Sequence, residues 1–137
     1  MSETLALGEE TLFRPAADTP WRRLDAPAPR AVERGGRHTL EIPPETLTRL
    51  AAEAFRDTAL CQDTGTATVF GLKGEDVRTG ANDVAALAAG VREAFARHAL
   101  RYSQMIPQGM FDERNSGDNL PAQIEIGAAP GAEYRLL

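Results

Sequence analysis

The 137-residue chain holds one cysteine, Cys61, and this limits how any fold of it can be held together. An internal disulfide is excluded, and so is a metal site built from several thiolates of this chain. Stability has to come from burying apolar side chains, and taken alone the cysteine reads as a small buried hydrophobe. With 42% hydrophobic and 26% charged residues, the composition is that of one soluble globular domain with one core. That core is smaller than the length suggests, because Pro15, Pro20, Pro27 and Pro29 lie in an arginine- and alanine-rich stretch without apolar periodicity. Only Leu12, Phe13, Trp21 and Leu24 could anchor this stretch. Residues 1–36 are therefore expected to form an irregular arm, and residues 37–137 the folded domain.

Within the domain the apolar spacing alternates between strand and helix periods. Thr39, Leu40, Glu41 and Ile42 suggest a short strand, ended by Pro43 and Pro44, which suits the opening of a helix. Over residues 44–56, Leu47, Leu50, Ala51, Ala54 and Phe55 share one helical face. After a short connection, residues 65–72 read as a strand, with Gly71 and Gly74 bracketing Lys73 in a turn. Asn82 or Asp83 can cap a second helix ending near Leu100, whose buried stripe is Val84, Leu87, Ala88, Val91 and Phe95. An irregular loop over residues 107–119 follows. Residues 122–126 then alternate as a strand, and Pro130 with Gly131 turns the chain into Tyr134, Arg135, Leu136 and Leu137 as a hairpin. The expected fold is α+β, with two main helices packed on a small, mostly antiparallel sheet and an irregular N-terminal arm. The chain stops inside its second apolar strand without a polar tail, which suggests further sequence downstream.

The net charge of −5 is scattered and not blocked, which favours solubility and disfavours phosphate binding, so no nucleic-acid partner is expected. No apolar run approaches the roughly 18 residues of a membrane span, and residues 1–10 lack the basic flank and apolar core of a secretory signal. A cytoplasmic protein with no membrane partner is the expectation.

The densest polar cluster is Cys61, Gln62, Asp63, Thr64 and Gly65, on a loop delivered by a helix and leaving into a strand. A thiolate there can ligate iron, an adjacent amide and carboxylate can orient a hydroxylated acid, and the glycine lets the backbone pass close to a ligand. Taken without any motif, Arg101 reads as a helix-end charge complementing the helix dipole. His38 and His98 have no ligand partner at a metal-site spacing and are read as structural or solvated. Asn119 and Gln123 are read as fixing backbone and not as touching a substrate.

The segment CQDTGTATVFGLKG, residues 61–74, resembles the cluster-binding loop of class I fumarate hydratases and the related L(+)-tartrate dehydratase alpha subunits. VREAFARHALRYSQMIPQGMFDERNSGDNLPAQIEI, residues 91–126, is similar to the same family in its helix, its Arg-Tyr-Ser-Gln exit and its Asn-Leu-Pro-Ala-Gln-Ile strand start. PETLTRLAAEAFRD, residues 44–57, resembles the family's first helix more loosely. The resemblance implies a hydro-lyase that hydrates fumarate to malate or dehydrates a related hydroxy-dicarboxylate. It also implies a four-iron, four-sulfur cluster held by three cysteines, whose open iron binds substrate as a Lewis acid. Carried over by position, Cys61 matches a cluster ligand, Gln62 and Asp63 match substrate contacts, and Arg101 matches a carboxylate-binding arginine that offers a planar two-pronged fork.

The resemblance also marks what this chain lacks. The family continues into a glycine-rich segment, two further cysteines and most of the proton-transfer groups, so no catalytic residue is assigned here and catalytic competence of the chain alone is not expected. It further implies a shortening between Asp57 and Thr58, where family members carry more helix. The expected partners are a small dicarboxylate, a complementary polypeptide or C-terminal half with the missing ligands, and a possible homodimer, which would still bring only one cysteine per subunit. Two other readings stand beside this one. The chain could be a noncatalytic interaction module or relic fragment, or Asp63, Thr64 and Gly65 could form half of a dimeric aspartic protease.

Overall fold

The computed structural model describes residues 5–7, 12–13, 22–58 and 66–136. Its order is set by two parallel strand pairs, and parallel strands need a long crossover between them. β5 (Arg37–Glu41) leads into α1 (Pro44–Thr58), and the chain later returns parallel to β5 as β7 (Val77–Arg78). β6 (Thr68–Gly74) precedes α2 (Asp83–Arg97), after which β10 (Gln123–Ala129) runs parallel to β6, with Val69 beside Ile124. Each main helix thus lies within a crossover. β11 (Tyr134–Leu136) joins the other side of β6 antiparallel, and β1 (Leu5–Leu7) extends that edge. The resulting four-stranded sheet has the order β1, β11, β6, β10.

The core lies between this sheet and the helices. Leu47 and Leu50 of α1, Leu87 of α2, Val69 of β6 and Tyr134 and Leu136 of β11 are buried in one cluster. A second cluster of Ala67, Val91 and Phe95 packs against Leu120 and Ala122, binding the far end of α2 to the start of β10. The helices meet closely because α2 presents small residues. A Cβ on Gly90 would lie 2.3 Å from the Thr48 carbonyl oxygen and 2.6 Å from the Ala51 Cβ.

The α+β class and both helices agree with the expectation, and several details differ for local reasons. The stretch expected to be irregular up to residue 36 carries β2 (Leu12–Phe13) paired with β3 (Arg22–Arg23), and β4 (Arg30–Arg34) paired with β5. The β4–β5 hairpin turns on Gly35 and Gly36 at φ +57° and +78°, the two successive positive values that a tight primed turn demands. The expected loop over residues 107–119 holds the turn and second strand of a hairpin of β8 (Met105–Pro107) and β9 (Glu113–Asn115). Lys73 lies within β6 and not in a turn. The flanking glycines give room for close packing, since a Cβ on Gly74 would come within 2.2 Å of the Gly131 carbonyl oxygen. The expected hairpin of the last two strands is not formed, because β6 lies between β10 and β11. On α2, Val84 is 45% exposed, and the buried face runs through Leu87, Gly90, Val91, Ala94 and Phe95.

Gly90→Ala should destabilise the chain by about 2 kcal/mol in urea unfolding despite alanine's better helix propensity, because the helices must separate to admit the methyl group.

Candidate functional site

Of the expected site residues, Cys61, Gln62 and Asp63 lie outside the described residues, and Arg101 lies within them. What can be built is the surface that Arg101 occupies and its link to the end of the cysteine loop. That surface begins with the start of α2. Asn82 caps the helix by accepting from the Ala85 N–H at 3.1 Å, satisfying a donor that the first turn leaves free.

The next residue, Asp83, is buried and sits at the centre of a polar cluster. Its carboxylate accepts from Lys73 Nζ at 2.8 Å, from the Tyr134 hydroxyl at 3.1 Å and from the Thr79 hydroxyl. Lys73 also donates to Thr79 Oγ1 at 2.9 Å and lies 5.9 Å from the centroid of the Tyr134 ring. Strand β6, the segment before α2 and strand β11 are thereby joined at one carboxylate. Burial, then the adjacent Asp83 charge and its hydrogen bond, hold the Tyr134 phenol well above the usual tyrosine range. Sequence reasoning placed Lys73 in a turn and missed this cluster, because its members are far apart in sequence. The periodicity that assigned β6 could have placed Lys73 in that strand.

At its other end α2 closes at His98, whose N–H donates to the Ala94 carbonyl, and Ala99 adopts φ +50°. The Leu100 N–H then donates back to the Phe95 carbonyl, and Arg101 emerges exposed, forming no hydrogen bond or ion pair with any described residue. Beside it, Tyr102 stacks on Phe95 with ring centroids 6.3 Å apart, holding the exit against the helix.

Residues 101–104 belong to no strand, so their peptide groups find partners outside a sheet, most of them side chains. The Tyr102 carbonyl accepts from Asn115 Nδ2 at 2.8 Å, and the Gln104 carbonyl from the Ser116 N–H at 2.9 Å. The Ser103 and Gln104 N–H groups both donate to Asn119 Oδ1 at 3.0 Å. The Gln104 side chain accepts from Thr66 Oγ1 at 2.8 Å, and Thr66 directly follows the cysteine loop. The arginine segment and the end of that loop are therefore adjacent, although 38 positions separate Thr66 from Gln104.

Asn119 does fix backbone, as expected, but that of residues 103 and 104. Gln123 donates from Nε2 to Glu125. His38 and His98 are exposed, and no group of three or more His, Cys, Asp or Glu able to hold a metal occurs among the described residues. No helix among them is long and apolar enough to cross a membrane.

The family model for fumarate hydratase (Fumerase) matches residues 47–137, which include α1 from Leu47 on, the cysteine loop, the Arg101 segment and the whole of β6, β10 and β11. The chain belongs to the class I fumarate hydratase family. An aerobic class I fumarate hydratase of Escherichia coli K12 is 53% identical over 77 residues, which are 56% of this chain and 14% of that protein. The mitochondrial fumarate hydratase 1 of Leishmania major is 48% identical over 77 residues, with the same shares covered. The aerobic class I protein of Salmonella typhimurium is 33% identical over 164 positions, covering 88% of this chain and 28% of the relative. That alignment is longer than this 137-residue chain, so the relative carries residues inside the matched region with no counterpart here, as the expected shortening requires. The chain spans between 14% and 28% of these relatives, and none of the three is a protease.

Two measurements check the Asp83 cluster. Asp83→Ala strands Lys73 and the Tyr134 hydroxyl and should cost about 3 kcal/mol in urea unfolding. The unfolded phenol loses its proton near pH 10 while the folded one keeps it. The tyrosine's stabilisation is therefore complete below about pH 10 and falls as pH rises through that value, a slope that Tyr134→Phe should remove.

Proposed function

We propose that this chain supplies one cluster ligand and part of the dicarboxylate pocket of an iron-sulfur hydro-lyase that interconverts fumarate and malate. The observation that carries the proposal is the exposed Arg101, which lacks a partner among the described residues and stands on a segment tied through Gln104 to the end of the cysteine loop. The family match over residues 47–137 supplies the reaction class.

In this reading the Arg101 guanidinium takes one substrate carboxylate in a bidentate pair, and Gln62 and Asp63 orient the groups nearest the reacting carbon. Cys61 supplies one of the three thiolates for a four-iron, four-sulfur cluster. One cysteine in 137 residues does not fit such a cluster, and the described residues offer no substitute ligands. The chemistry assigned to this chain is therefore confined to binding and orienting the dicarboxylate. The remaining ligands and the proton-transfer groups come from a complementary polypeptide or a longer form of the chain.

Exposed apolar groups support a complement of that kind. Phe70 and Leu72 stand on the outer face of β6, and Met110 and Phe111, at 88% and 91% exposure, form the tip of the β8–β9 hairpin. Each is a surface that a larger assembly would cover. A cytoplasmic setting suits the proposal, since thiols stay reduced there.

Anaerobic reconstitution with iron and sulfide tests it. Cluster absorbance and malate dehydration should arise only with a polypeptide carrying two further cysteines, and Cys61→Ser should abolish both. Arg101→Lys should keep the cluster but raise KM for malate about tenfold or more, because the ammonium lacks the guanidinium fork. Absence of cluster and activity in every combination rejects the proposal.

A further inference from the structure

Asn119 is the most thoroughly enclosed polar residue near the Arg101 segment. It is 0% exposed, yet its backbone lies at φ +59°, a left-handed conformation that asparagine tolerates better than other side chains with a Cβ. Its one carboxamide oxygen accepts from two successive N–H groups, those of Ser103 and Gln104, both at 3.0 Å. Its Nδ2 has no acceptor among the described residues.

The neighbours hold Asn119 in place. The Leu120 N–H donates to Asp118 Oδ1 at 3.1 Å, and Asp118 pairs with Arg92 of α2 at 3.3 Å, anchoring this turn to the helix that delivers Arg101. A buried side chain that spends both lone pairs on one short irregular segment, from a backbone conformation few residues accept, is placed to shape that segment.

We infer that Asn119 is a positioning residue: through Ser103 and Gln104 it sets the backbone that presents Arg101 and fixes its register against the end of the cysteine loop at Thr66. The inference rests on the reading of Arg101 as a carboxylate partner, and it adds a residue that touches no substrate in that reading. The acceptor oxygen carries the function. Asn119→Gly tolerates the positive φ and removes the oxygen, whereas Asn119→Asp keeps an acceptor oxygen for both N–H groups and exchanges the NH2 group for a second oxygen with its charge.

The test uses the 137-residue chain, ¹⁵N-labelled, with amide hydrogen exchange and titration by succinate. Asn119→Gly should speed exchange at the Ser103 and Gln104 amides about tenfold, with α2 amides unchanged, and weaken the succinate response by a similar factor. Asn119→Asp should restore protection at both amides, which a general loss of packing would not allow. If Asn119→Gly leaves those amides protected, or Asn119→Asp fails to restore them while α2 stays protected, the proposal is overturned. Where Arg101→Ala weakens the succinate response, an unchanged succinate affinity in Asn119→Gly also overturns it. Arg101→Ala separates the two claims: if it responds to succinate like the wild type, the carboxylate role of Arg101 fails, while the exchange data still decide whether Asn119 holds the segment.

Discussion

The buried carboxylate of Asp83 fixes where α2 begins, and much else follows from that. Lys73, Thr79 and Tyr134 all converge on it, so the first turn of the helix is joined to the central strand β6 and to β11 beside it. A buried charge is tolerable only when so surrounded, because an unpaired carboxylate in this position would cost several kcal/mol of desolvation. Once the start is set, a 15-residue helix at roughly 1.5 Å per residue has a determined far end. The close passage of α1 at Gly90 and the stacking of Phe95 on Tyr102 prevent rotation about the axis. Arg101 thus emerges from a rigid lever whose fulcrum is a salt bridge on the sheet.

Features governed by local periodicity could be read from the sequence. Both helices, the Asn82 cap and the strand bodies of β5, β6 and β10 follow from apolar spacing, capping chemistry and β-branched content. Interactions between distant residues could not. Nothing local says that β10 prefers β6 to β11, or that Gly71 and Gly74 serve close packing in a strand and not a turn, because both depend on which backbone lies alongside. The Gly35 and Gly36 pair was a legible hairpin signal, obscured by the prolines before it.

For the site the division is similar. The family resemblance led to Arg101 and singled out the cysteine loop, while the partners of Asn119 and Gln104 emerged only from hydrogen bonds across 15 to 38 positions. The structure shows how the segment beyond a helix end is tied through Gln104 to Thr66, far from it in sequence.

The strand order of the main sheet also bears on how the molecule assembles. β6 is flanked on both sides by the strands nearest the end of the chain, β10 and β11, with Val69 paired to Ile124 and Gly71 to Leu136. Both partners of the central strand are separated from it by more than fifty residues, so pairing must overcome the entropy of closing a long loop. A ribosome delivers β6 well before its neighbours, leaving both of its hydrogen-bonding edges open and Phe70 and Leu72 on its surface. During synthesis, the interval between β6 and β10 is when the nascent chain is most exposed to mispairing.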